Sequence, residues 1–223
     1  LTLLTKGAEV AFIPTAENLG SMFVGDRPET TVTIYFHDET GNPASTQGFN
    51  TYSSTLYSPA GTSVATLATI QHDGHGVHVT FPSTSLLTVP GIYKLVTKFT
   101  KTGAQLVTAE ALEIVVEQID GWLTLEQARA LWADAPLDDV FLAKLLDTAK
   151  EQCVAYAPAI PQGAYILPRY TQAQLTQARA LYQSTIANQN DNVGLEGFAV
   201  RVFPLDFTIR AMLRPKRAIG GMF

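Results

Sequence analysis

A chain of 223 residues that is 46% apolar and 16% charged can bury the core of one large domain or two ordinary ones, which excludes a disordered protein. Its net charge of −5 is uneven: residues 1–118 hold 5 basic and 10 acidic side chains, while 119–223 hold 10 of each, with 5 against 1 inside 201–223. That spread speaks against a duplex-DNA reader with one broad basic face, and the single cysteine, Cys153, excludes an internal disulfide and a multi-cysteine zinc module.

No apolar run approaches the about 20 residues that cross a bilayer, so no membrane partner is expected. The first residues lack a basic leader followed by a long apolar core, so no signal peptide is expected. From 3 to 116 the chain reads as strands, with Thr, Val, Ile, Tyr and Phe alternating with polar residues. Expected strands are 9–13, 30–37, 50–57, 65–71, 77–81, 91–100 and 111–117. Turn chemistry separates them at Gly25-Asp26, 39–43, 58–61, Asp73-Gly74, Pro90-Gly91 and Thr102-Gly103. Val32, Ile34 and Phe36 share one face; so do Tyr93, Leu95 and Phe99, with Thr97 their one polar member. About seven short strands in this length predict an all-β sandwich of immunoglobulin-like type over 1–118. Gly91-Ile-Tyr93 resembles the strand entry at which a tyrosine pins a corner, although the Cys–Trp–Cys core of antibody domains is missing.

After Ile119 the period changes. Asp120-Gly121 marks a boundary, and Thr124 with Gln127 forms a capping-box pattern that opens a helix over 125–132. Phe141, Leu145, Ala149 and Cys153, with Leu142 and Leu146 beside them, make one apolar stripe on a helix that ends near Tyr156, before Pro158. Asp138 and Asp139 complement the dipole at its start. Thr171 with Gln174 predicts the cap of a further helix, 172–188, striped by Leu175, Ala178, Tyr182 and Ile186. A polar loop follows, then a strand or extended arm over 198–203. The prolines at 204 and 215 leave only 206–213 free to be helical. Trp122 and Trp132 are expected at the junction between the two domains. The stripes exceed what two or three helices bury alone, which predicts assembly of copies.

No phosphate-binding glycine loop, metalloprotease helix or nucleophile elbow is present. Residues 119–223 contain no histidine, the commonest general base. His72, His75 and His78 around Asp73 could ligate zinc or nickel and so serve a metal-dependent hydrolase. The competing reading is a hairpin tip with His72 and His75 in solvent, and it is preferred: no catalytic, cofactor-binding or metal residue is assigned.

The terminal stretch mixes anchors with cations. Phe207, Ile209, Met212 and Leu213 interleave with Arg210, Arg214, Lys216 and Arg217. Phosphate tracking does not need aliphatic anchors, so protein docking is favoured over nucleic acid, and these eight residues are the expected partner interface.

Asp120-Gly-Trp-Leu-Thr-Leu-Glu-Gln-Ala-Arg129, Trp132-Ala-Asp-Ala-Pro-Leu-Asp-Asp139, Leu145 to Pro158, Tyr170 to Arg179 and Phe203 to Ala218 together resemble the head-to-tail adaptor (connector) proteins of long-tailed bacteriophages. The resemblance covers about 119–223 and implies a mainly helical connector domain with an extended arm over about 203–223. It implies a structural virion protein, not an enzyme: a dodecameric ring of copies in the neck, assembled in the host cytoplasm. The portal protein would lie above it and stopper or tail proteins below, with DNA only as cargo passing through the channel. The sandwich would be an appended module, projecting outward. The competing reading is a module that binds a host or capsid surface through the immunoglobulin-like domain, with Tyr52 and Tyr57 as exposed aromatics.

Overall fold

The computed structural model describes residues 11–17, 19–101, 105–161, 164–190 and 205–214. The chain divides into two compact units, Leu1–Gln118 and Ile119–Phe223.

The first unit is all β: β1 Ile13–Ala16, β2 Met22–Phe23, β3 Thr31–His37, β4 Thr51–Tyr57, β5 Ser63–His72, β6 Gly76–Thr80, β7 Gly91–Lys101, β8 Gln105–Thr108 and β9 Leu112–Glu117. One layer runs β1-β3-β6 and then takes residues 68–72 of β5. The other begins with residues 63–67 of the same strand and runs through β4, β7, β9 and β2. β8 pairs with β7 beyond the end of β9. All pairings are antiparallel except the short β2–β9 contact. A first strand followed by a short parallel segment on the last strand, with a middle strand crossing between layers, is an immunoglobulin-like sandwich.

The alternation expected from the sequence places the core. Val32, Ile34 and Phe36 of β3 and Val77 and Val79 of β6 face Leu56, Tyr93, Leu95 and Phe99 from the other layer, all in one cluster. Phe99 is its hub, with the rings of Phe12 and Phe36 each 5.0 Å away, Phe49 at 5.4 Å and Tyr52 at 5.9 Å. Thr97, the polar member of that face, lies opposite Ser54 and shares a 2.9 Å hydrogen bond with it, so neither buried hydroxyl is orphaned. Tyr93 pins the corner as expected: its hydroxyl accepts from the N–H groups of Thr88 (3.1 Å) and Val89 (3.2 Å). Tyr52 is half-buried rather than a free aromatic, and donates to the carbonyls of Thr46 and Phe49.

Three expectations on this unit are corrected. β1 begins at Ile13, where the expected strand ends, and residues 9–10 lie outside the described ones. Pro14 is tolerated there because β1 is an edge strand paired on one side only. β2 and β8 were not expected. They span two and four residues and pair with strands distant in sequence or already assigned, so neither shows a period of its own.

The second unit holds α1 Leu125–Leu131, α2 Asp139–Tyr156, α3 Pro168–Asn190 and α4 Phe207–Leu213. The Thr124–Gln127 capping box forms in both directions. Asp138 caps α2 by accepting from the N–H groups of Val140 and Phe141. The expected Thr171 cap is corrected. α3 starts at Pro168, whose fixed φ suits the first helical position, and Thr171 donates back to the Pro168 carbonyl from inside the first turn. Gln174 is instead a buried strut: its amide oxygen accepts from Leu123 N–H at 3.0 Å and its nitrogen donates to the Leu146 carbonyl at 3.2 Å. It therefore ties three chain segments together.

The apolar stripes are covered inside the unit. Leu145, Ala149 and Cys153 of α2 are buried, as are Leu175 and Ala178 of α3, while Phe141 and Tyr182 are half-buried against each other. The expected surplus of apolar surface on these stripes is corrected: four helices absorb it. Ile186 lies where side chains are not described, and the expected strand over 198–203 falls outside the described residues. Among the described residues, no helix is long and apolar enough to cross a membrane.

Candidate interface on the terminal helix

α4 is a short helix that Asp206 starts by accepting from Phe207 N–H at 2.6 Å. Ile209 and Leu213, four residues apart, fall on one face and are 1% and 0% exposed. They pack with Trp122, Cys153, Tyr170 and Ala173 in the core of their own unit. This corrects their assignment as partner anchors, because their apolar surface is spent within the chain. Met212 is half-buried against the same cluster.

The other face is open. Phe207 is 75% exposed, and Arg210, Ala211 and Arg214 follow it at helical spacing, all exposed. Arg210 and Arg214 both reach the ring of Tyr156, at the end of α2, with guanidinium carbons 5.8 and 4.9 Å from its centre. Among the described residues no carboxylate lies within ion-pair distance of either arginine. Each cation–π contact at such a surface is worth about 0.5–1 kcal/mol, and the two positive charges repel across one ring. An anion placed between them would relieve that repulsion. Lys216 and Arg217 lie outside the described residues.

Tyr156 was not anticipated as part of this surface. Its signal was a lone aromatic at the last helical position before Pro158, which reads equally well as a helix stop. Cys153, one turn earlier, is fully buried, and burial pushes its thiol up to about 11. At pH 8 the folded chain is expected to resist a thiol reagent such as Ellman's, whereas in denaturant one thiol per chain reacts at once. Prompt labelling of the native chain would show that the α2–α4 contact opens readily.

Both tryptophans have packing partners inside the helical unit. Trp122 packs on Tyr170 within the helical core and carries the Lys150 ammonium 5.9 Å above its ring. Trp132 meets Tyr182 at 5.5 Å and lies under the Arg179 guanidinium at 5.7 Å. Leu131, Trp132, Asp134, Arg179, Tyr182 and Gln183 border an open cleft of about 570 Å³. Among the described residues, Asp134 is the one carboxylate that borders it.

At the β5–β6 tip, Asp73 and Gly74 turn the chain with φ of 37° and 88°. His72 and His78 stack on the outer face with ring centres 4.0 Å apart, so His72 is held against the sheet rather than free in solvent. The His78 ring nitrogen Nδ1 lies 3.2 Å from the Thr33 hydroxyl. His75 is exposed on the turn. Among the described residues, no three histidine, cysteine or carboxylate side chains converge as a metal site requires.

No protein family model matches the chain, and no curated protein does. Among solved structures, CopC from Methylosinus trichosporium OB3b is 13% identical, with a TM-score of 0.33, over 50% of this chain and 96% of its own. The fibronectin(III)-like modules of CbhA from Clostridium thermocellum are 11% identical, with a TM-score of 0.25, over 51% and 99%. The Ig1 domain of mouse SynCAM 2 is 11% identical, with a TM-score of 0.23, over 48% and 97%. The chain is similar to β-domains of this kind across about half its length. Identities this low assign no activity.

Proposed function

We propose that this chain is a structural virion protein of a bacteriophage neck, forming a ring of copies between portal and tail. On this reading the helical unit is the connector domain and the sandwich an appended module. The observation that carries the proposal is the two-sided α4. Its inner face is locked into the helical core, while its outer face presents Phe207 beside two arginines that have no ion-pair partner among the described residues. A helix fixed in this way offers a rigid cationic and aromatic patch to a neighbour without the ordering cost of a free tail. The resemblance of residues 120–218 to head-to-tail adaptors names the assembly in which such a patch would work.

Light scattering on the chain, alone and mixed with its portal ring, tests this. A ring-sized species is expected in at least one sample, and it is expected to vanish when Arg210 and Arg214 are both changed to Glu. Monomer in both samples would overturn the neck reading and leave the surface-binding module, which functions as a single copy, in its place.

A further inference from the structure

β5 is the strand that neither layer completes. Residues 63–67 pair only with β4 and residues 68–72 only with β6. Each half therefore keeps one row of backbone N–H and C=O groups without a strand partner among the described residues, and the two open rows face opposite ways. A register shift beside Val64 twists the first half, which blunts that edge. The second half has no such device. The Thr69 hydroxyl donates to the Leu67 carbonyl at 3.0 Å, and no other side chain among the described residues bonds to the strand's backbone.

The remaining edges are closed by familiar means. β1 is four residues long with Pro14 inside it, β9 is overlaid by β2, and β8 is four residues long. β5 has ten residues, Ser-Val-Ala-Thr-Leu-Ala-Thr-Ile-Gln-His, with no proline and no Lys, Arg, Asp or Glu. Ile70, in the middle of its open second half, is 63% exposed.

We propose that the 68–72 half of β5 pairs antiparallel with the same half of a second copy, joining two sandwiches into one continuous layer. The occupant follows from the strand's own composition. A segment without charged residues meets its copy with no like charges opposed, and an antiparallel self-pair has a two-fold axis that closes the contact at two chains. With the axis at Ile70, the two isoleucines cover each other and Ala68 lies opposite the partner's residue 72. The contact uses residues of the sandwich unit and none of α4.

Variants of the full chain with one added cysteine test the pairing, with Cys153 silent because it is buried. Opposed residues in such a ladder have Cα atoms about 4.5–5.5 Å apart, within reach of a disulfide. Mild oxidation of Ile70→Cys is expected to give at least about tenfold more cross-linked dimer than Thr66→Cys, which faces solvent on the half that opens the other way. Ala68→Cys, whose two copies would lie four residues out of register and about 13 Å apart, is expected to cross-link no more than Thr66→Cys. Circular dichroism of each variant confirms that it is folded. Equal cross-linking at 66 and 70, or none at 70, would overturn the pairing. Neither result depends on whether a ring forms, because ring mass is read by light scattering on the unaltered chain.

Discussion

Changing Phe99 to Ala is expected to destabilise the sandwich by about 3–5 kcal/mol. Four other aromatic rings lie around Phe99, from both layers and from the segments before β1 and β4, and it has no exposed surface. Those rings cannot close over the void without leaving their own rotamers, so the loss includes a cavity as well as the transfer of one side chain. Tryptophan fluorescence is the wrong probe, since both tryptophans belong to the helical unit. Amide exchange by mass spectrometry on β3, β4 and β7 reads the effect directly. Accelerated exchange in those strands with α2 and α3 unchanged is the expected pattern. Loss of protection in α2 and α3 as well would mean that the two units unfold together.

The second large effect separates the faces of α4. Leu213→Ala removes a fully buried side chain from the cluster that holds Trp122 and is expected to cost the helical unit about 2–5 kcal/mol. Phe207→Ala trims a side chain that is 75% exposed, and is expected to change stability by less than about 0.5 kcal/mol. Urea denaturation followed by tryptophan fluorescence measures both. On the neck reading, Phe207→Ala also reduces ring assembly although the subunit is as stable as before. Equal loss of stability in the two variants would show that α4 is packed differently from the structure described above.

Much of the fold was legible because it is local. Val32, Ile34 and Phe36 alternate because one side of β3 is buried and the other wet, and Thr124 with Gln127 bonds within a single turn. The failures have physical causes too. Thr171 and Gln174 repeat the capping spacing, but threonine and glutamine three residues apart also occur inside a helix, and Pro168 marked the start more strongly. β2 owes its existence to β9, which lies far along the chain, so no local pattern could show it. Ile209 and Leu213 announced an amphipathic helix four residues apart. Periodicity says that such a face is buried but not in whose core, and here it was the chain's own. The Tyr156–Arg210–Arg214 cluster needed the fold, because it forms only where α2 and α4 pack together.

A strand shared by two layers also links their fates. β5 hands over from β4 to β6 at Leu67 and Ala68 without a break in the chain. If β6 lets go of residues 68–72, the freed segment pulls on the same backbone that anchors residues 63–67 to β4, and the inner face at Leu67 loses its cover. Fraying cannot stay within one sheet, so the sandwich yields as one piece where two separately stitched sheets could part in stages.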